Sequence, residues 1–174
     1  VFAAIGGFSN MRFGEDIDFS IRIFRAGYTC RLFPTAWVWH KRRATFRQFF
    51  KQVHNSGIAR IHLYQKYPDS LKLVHLLPSL FTIGVVFLLL LSMGGIIGQI
   101  LWLAIIPVAL LLFYCLLILT DSSILNRSIR VGFLSIAAAF VQLIGYGSGF
   151  LRAVWNCLIL KRTDFQAFRK TFYK

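Results

Sequence analysis

From residue 73 to residue 160 charged side chains are almost absent, while before and after that stretch they are frequent. Such a region is poorly suited to a water-facing surface and limits what the rest of the chain can become. Residues 73–92 and 100–119 are apolar stretches of 20 residues each, joined by Met93-Gly94-Gly95-Ile96-Ile97-Gly98-Gln99. As helices rising ~1.5 Å per residue, each reaches ~30 Å, the thickness of the bilayer hydrocarbon. The spacing predicts a helical hairpin, with His75 and Pro78 interrupting its first arm near the start. The chain as a whole is 57% hydrophobic, above the ~45–50% of an ordinary soluble domain. The excess divides it into a soluble part (1–67), a transmembrane region (73–160) and a basic, aromatic tail (161–174).

The third apolar stretch, read as a span over 132–151, contains Gly145-Tyr146-Gly147-Ser148-Gly149 and is followed by Arg152. A third full crossing would place Lys161, Arg162, Arg169, Lys170 and Lys174 on the face opposite the soluble part. With that part cytoplasmic, this conflicts with the bias of positive charge toward the inside. Either the bias fails, or the stretch is re-entrant or splits near its glycines. A span ending near Leu151 is the simplest reading of hydropathy.

Twenty Lys and Arg against six Asp and Glu give a formal charge of +14. The basic residues crowd the borders of the apolar segments, which suits anionic headgroups and argues for membrane lipids as partners. No zinc-finger, RNA-binding or basic-zipper pattern is present, so nucleic acid is not expected. Cys30, Cys115 and Cys157 are far apart and suggest neither a disulfide framework nor a metal cluster.

Within the soluble part, residues 1–7 read as a strand running into a turn. Residues 15–26 read as a helix, with Ile17, Ile21 and Phe24 on one face and a glycine stop at Gly27. Asp18 and Arg22 stand four apart and can pair on its exposed face. Residues 29–33 and 36–40 read as short strands separated by Pro34. Thr45 can cap a longer basic amphipathic helix to about Lys66, striped by Phe46, Phe50, Val53, Gly57, Ile61 and Tyr64. That helix either lies along the bilayer surface or packs one face on a soluble core. With no initiator at Val1, the chain is expected to be the C-terminal part of something longer.

Three of the six carboxylates fall within Gly14-Glu15-Asp16-Ile17-Asp18. Carboxylates beside a glycine at a helix start can act as a base, bind a metal, or complement the helix dipole.

Gly6-Gly7-Phe8, the run from Gly14 to Ile23, Ala26-Gly27-Tyr28 and Pro34-Thr35-Ala36-Trp37-Val38-Trp39-His40 resemble, in order and spacing, the C-terminal half of a family 2 glycosyltransferase domain. The resemblance covers roughly residues 1–67. It implies an α/β architecture, the C-terminal part of a GT-A nucleotide-sugar transferase domain, followed by a transmembrane α-helical region. It implies a nucleotide-sugar donor, a divalent metal (Mg or Mn) and inversion at the anomeric carbon. Asp16 matches the second acid of the family's "ED" pair, the general base, and Glu15 its supporter, orienting the base or touching the acceptor. Asp18 is expected to be a structural residue of the helix surface. His40 matches a histidine that contacts metal or diphosphate in some members; a strand-end histidine capped by a backbone group is the alternative. Arg42 and Arg43 can meet donor diphosphate or lipid phosphate, or form a solvated basic turn.

Processive, polysaccharide-making relatives carry a Gln-x-x-Arg-Trp motif. Here the corresponding region is Gln52-Val53-His54-Asn55-Ser56-Gly57, which lacks the Arg and the Trp. That favours transfer of single sugars, with Gln52 and His54 on the acceptor side. The resemblance thus implies a membrane-bound inverting glycosyltransferase acting on a lipid-linked or membrane-proximal hydroxyl. Its expected setting is a multi-pass protein of a bacterial inner membrane, catalytic part cytoplasmic. The family's Asp-x-Asp motif is expected upstream of Val1, and the chain alone is expected to be inactive. The alternative is a non-catalytic membrane scaffold or subunit that retains a glycosyltransferase-like segment.

Overall fold

The computed structural model describes residues 1–11, 13–40 and 44–162. Helix α1 is Glu15–Arg25 and opens from Gly14, whose φ of 80° lies in the left-handed region that glycine occupies at little cost. A side chain there would also press on Leu63, 3.2 Å from where its Cβ would sit. Three acids in the first turn and two arginines in the last complement the helix dipole. Helix α2, Phe46–Lys66, is capped by the Thr45 hydroxyl, which accepts from the Gln48 amide at 3.3 Å.

Two 3₁₀ turns, Pro68–Ser70 and Leu73–His75, lead into α3, Leu77–Ile97, with Pro78 in its first turn where no amide is needed. Helix α4 is Leu101–Asn126, with Pro107 inside it. Helix α5, Ile129–Ala153, runs into a π-helical turn, Val154–Ile159. The expected connection at residues 93–99 is mostly helix, because α3 continues through Gly94 and Gly95. A Cβ at Gly95 would stand 2.4 Å from the Ala104 nitrogen, so the glycine brings α3 against α4.

The α/β expectation fails: among the described residues there is no strand and no sheet. Residues 1–7 instead form tight turns, closed by Ile5 N to Val1 O at 3.1 Å and Gly7 N to Phe2 O at 3.0 Å. Residues 29–33 and 36–40 have β-forming side chains, but Leu32 is 86% and Trp39 92% exposed and no neighbouring strand pairs with them. A strand is completed only by a partner that takes up its amides and carbonyls, and propensity alone cannot supply one.

Three helices, Leu73–Ile97, Leu101–Asn126 and Ile129–Ile159, are long and apolar enough to cross a membrane. Phe81, Tyr114 and Phe140 meet where α3, α4 and α5 converge, with ring centroids 5.4–5.9 Å apart. Ser92 donates to the Ala104 carbonyl at 2.7 Å, and the Ser122 and Ser135 hydroxyls lie 2.7 Å apart. Ser92, Ser122 and Ser135 thus find partners within the bundle.

The path of α5 is oblique. Its start, at Gly132, lies against Leu119 and Ser123 near the end of α4. Farther on, the Thr82 hydroxyl donates to the Leu143 carbonyl at 3.3 Å, and Gly147 lies against Pro78, at the beginning of α3. The last part of α5 meets α2. A Cβ at Gly57 would stand 2.2 Å from the Tyr146 carbonyl oxygen, and one at Gly149 2.0 Å from the His54 carbonyl oxygen. Gly145 and Gly149, four apart, clear the surface that lets α2 approach this closely. The buried centre of the contact is Ile58, Ile61, Phe150, Ala153 and Cys157, joined by Leu71 and Leu76. The apolar stripe of α2 therefore faces α5.

Candidate active site

The acids of the first turn of α1 have opposite environments. Asp16 is exposed and Glu15 half-buried, and among the described residues neither forms an ion pair. Among the described residues the Asp16 carboxylate accepts from the adjacent Ile17 amide, at 2.9 Å. Asp16 is thus presented to solvent as a carboxylate able to take a proton.

Asp18 is fully buried, contrary to its expected place on the helix surface. Arg22 donates to it from Nε at 2.9 Å, Lys66 from Nζ at 2.5 Å and Tyr67 from its hydroxyl at 2.9 Å. Burial alone would raise its pKa; hydrogen bonds from Lys66, Tyr67 and Arg22 outweigh that and hold it down at about 2. The same bond to Asp18 raises the Lys66 pKa. The Arg22 guanidinium continues to the Ile5 and Gly7 carbonyls, 2.5 Å from each. One carboxylate therefore ties together the 5–7 turn, α1 and the end of α2.

Two aromatic contacts extend this tie. Phe2, Phe8 and Phe19 cluster with centroids 4.7–5.8 Å apart. Arg25 lies over the Tyr67 ring at 4.6 Å and reaches Asp69 at 3.4 Å. The helix bearing Asp16 and Glu15 is thus fixed on α2, and α2 is fixed on α5.

The other expected site residues are dispersed. His40 is exposed in the extended segment, and among the described residues it makes no hydrogen bond or ion pair. Arg42 and Arg43, and the tail beyond Arg162, lie outside the described residues. Gln52 is exposed on α2. His54 turns toward α5: its Nδ1 lies 3.1 Å from the Ser148 hydroxyl, which itself donates to the Gly145 carbonyl at 3.0 Å. Ser148 therefore accepts from His54, whose Nε2 is left as an acceptor. Burial and the nearby Arg152 charge lower the His54 pKa and keep its ring neutral. His54 stacks on Phe50 with centroids 5.9 Å apart.

A divalent ion needs several oxygen or nitrogen donors converging on one point. Among the described residues no group of three or more His, Cys, Asp or Glu does so. Among the described residues His40 and the acids of α1 form no such group, and no chemical step is assigned to a metal.

Sequence reasoning missed the buried network of Asp18, Lys66 and Tyr67, and the use of Ser148. The four-residue spacing of Gly145 and Gly149 was the available signal for a close helix crossing; it reads equally well as a helix break.

An acid-bearing helix fastened to an amphipathic helix, itself packed on apolar helices of membrane-crossing length, defines a multi-pass membrane type of protein. The family comparison gives the chemistry. Residues 1–119 match the pattern of glycosyl transferase family group 2, and the chain belongs to that family. The match runs from the 1–7 turns through most of α4, so the acids and the first two apolar helices belong to one family pattern. The activity is glycosyl transfer. Neither the curated proteins nor the solved structures contained a match.

Proposed function

We propose that this protein takes part in inverting transfer of a single sugar from a nucleotide-sugar donor to a hydroxyl of a lipid-linked or membrane-proximal acceptor. Asp16 is the general base and Glu15 its neighbour on the acceptor side. The observation that carries the reading is the contrast between two acids of one helix turn. Asp18 is locked under three donors, while Asp16 is exposed and free of cations among the described residues. In the reaction the acceptor oxygen attacks the anomeric carbon and forms the new glycosidic bond. The bond to the nucleoside diphosphate breaks on the opposite face, and the acceptor proton passes to Asp16. A base so placed contributes typically ~10²–10⁴-fold.

The apolar helices favour an acceptor delivered in the plane of the membrane, and the absence of Arg and Trp after Gln52 favours single transfers. The basic borders of the apolar segments support a cytoplasmic position for α1. No residue described here is assigned to a donor-side metal.

The test uses the protein in its native membranes, supplied with radiolabelled nucleotide sugars. Asp16→Asn is expected to lower turnover by at least ~100-fold while donor affinity stays within a factor of about two. Near-normal turnover by the variant would sink the assignment and favour a non-catalytic scaffold.

A further inference from the structure

Beside the acids of α1 stands an aromatic patch to which proton transfer assigns no task. Phe8 packs over Phe19 with ring centroids 4.7 Å apart, and Phe2 closes on Phe8 at 5.8 Å and on Phe19 at 5.5 Å. The packing does not bury the cluster: Phe2 and Phe8 each remain more than half exposed. Apolar rings gathered and held in the open are the usual mark of a binding surface. The holding is specific. Gly6 and Gly7 have φ of 78° and 65°, a turn that glycine makes at little cost. The Phe2 ring lies against Gly7, 3.1 Å from where a Cβ would stand. The Arg22 guanidinium grips the Ile5 and Gly7 carbonyls and lies 5.7 Å from the centre of the Phe19 ring. Turn and helix thus keep the three rings in one arrangement.

The place of the patch ties it to the candidate base. Phe19 follows Glu15 by four positions and Asp16 by three, so it lies on their side of α1, one turn (~5.4 Å) farther on. Helical side chains lean toward the N-terminus, which brings the Phe19 ring toward the acids. A molecule whose hydroxyl reaches Asp16 therefore has these rings beside it.

The acids select what the rings take. Among the described residues Glu15 and Asp16 have no cationic partner, so an anionic group such as a lipid phosphate is repelled there. A phosphate oxygen has moreover already lost its proton and calls for no base, whereas a sugar hydroxyl needs one. Sugar hydroxyls also donate hydrogen bonds that carboxylates accept. The C–H face of a pyranose meets the negative face of an aromatic ring favourably. We propose that Phe2, Phe8 and Phe19 form a platform for a neutral pyranose ring of the acceptor, placing its hydroxyl at Asp16. The proposal rests on Asp16 as the base and narrows the acceptor to a sugar rather than a lipid phosphate.

The test is binding without donor, so it does not depend on turnover. The full chain, purified in a detergent without a sugar headgroup, is titrated with methyl β-D-glucopyranoside, methyl β-D-galactopyranoside and methyl α-D-mannopyranoside. Saturation transfer from the aromatic protons of the protein is read by NMR. At least one glycoside should receive it, chiefly on its ring C–H hydrogens. Phe8→Leu, which keeps an apolar side chain and loses the ring, should weaken binding about fivefold, the scale of one aromatic contact. Phe8→Tyr should restore it, and Phe33→Leu, which removes an exposed ring elsewhere, should change nothing. Hydrogen exchange over α1 should stay at the wild-type level in Phe8→Leu, which separates loss of the ring from loss of the fold; the wild-type transfer pattern decides in either case. Transfer to none of the three glycosides, unchanged binding in Phe8→Leu, or equal loss in Phe33→Leu overturns the platform. Displacement of the glycoside by millimolar inorganic phosphate overturns the neutral acceptor. Normal turnover in Asp16→Asn would remove the base without touching glycoside binding in the wild type, so the two readings fail separately.

Discussion

Asp18→Asn tests whether one carboxylate holds the acid-bearing helix in place. A carboxyl moved from 3.8 to about 2 represents about 2 kcal/mol of binding to its charged form, at ~1.36 kcal/mol per pH unit. Lys66 and Arg22 keep 44% and 21% of their side-chain surface exposed, so they regain water when the charge is lost. The cost should therefore stay near that figure and below the ~3–5 kcal/mol seen when a fully buried pair is broken. Because the bonds of Asp18 run to the 5–7 turn and the end of α2, the loss should fall on α1. Backbone hydrogen exchange over Glu15–Arg25 should rise about 30-fold at pH 7, while α3 and α4 keep their protection.

The same reasoning fixes a pH dependence. The folded pKa lies below the unfolded one, so the unfolded chain binds more protons in the window between them. The stabilisation is complete above about pH 4 and is lost as pH falls toward about 2. Wild-type α1 exchange, corrected for intrinsic rates, should rise through that window, and the Asn variant should show no such step. Wild-type exchange rates in the Asn variant, or a rise spread evenly over all five helices, would refute the argument.

Gly149→Ala would put a methyl 2.0 Å from the His54 carbonyl oxygen, an overpacking worth ~1–3 kcal/mol. It should lower the thermal midpoint in detergent, whereas Gly84→Ala, with open space around it, should not. The His54 ring, held neutral by burial and the Arg152 charge, should titrate below 6.5 by NMR. Its folded pKa is the lower one, so the α2–α5 contact should weaken as pH falls through 6.5, and His54→Gln should remove that dependence; a midpoint at or above 6.5 contradicts the burial. With Cys30, Cys115 and Cys157 replaced by serine, Gln52→Cys and Arg162→Cys should react with an impermeant maleimide from the same side of sealed vesicles. Labelling from opposite sides would show that α5 crosses the bilayer completely.

What was legible in the sequence depended on how far each signal reaches along the chain. Helix α2 could be read because its stripe from Phe46 to Tyr64 and its Thr45 cap are local. Helices α3 and α4 could be read because length and hydropathy are local too. The strands at 29–33 and 36–40 were misread because a strand is defined by what lies beside it, and no neighbour is found among the described residues. Asp18 was read as a surface residue because its helix position permits that; Lys66 and Tyr67, which bury it, are 48 and 49 positions away. Of the site residues, Asp16 stands exposed at the start of α1, while His40 and His54 lie in separate surroundings.

The apolar stretch with four glycines shows how a conflict in the sequence can carry structural information. Hydropathy argued for a third crossing; the basic residues after Leu160 argued against one. Packing gives the charges the stronger claim. The end of α5 rests on Gly57, Ile61, Leu71 and Leu76, at the α2–α3 junction, and Gly147 lies on Pro78 where α3 begins. Its start rests on the last turns of α4, the helix that returns from the far end of α3. Both ends of α5 thus lie near the face where the chain enters the apolar region. Such a path keeps Arg152, Lys161 and Arg162 on the side of α2, where the positive-inside bias places them. The glycines are what make the path possible, because only a surface without side chains lets α2 and α3 both close on the same few turns of α5.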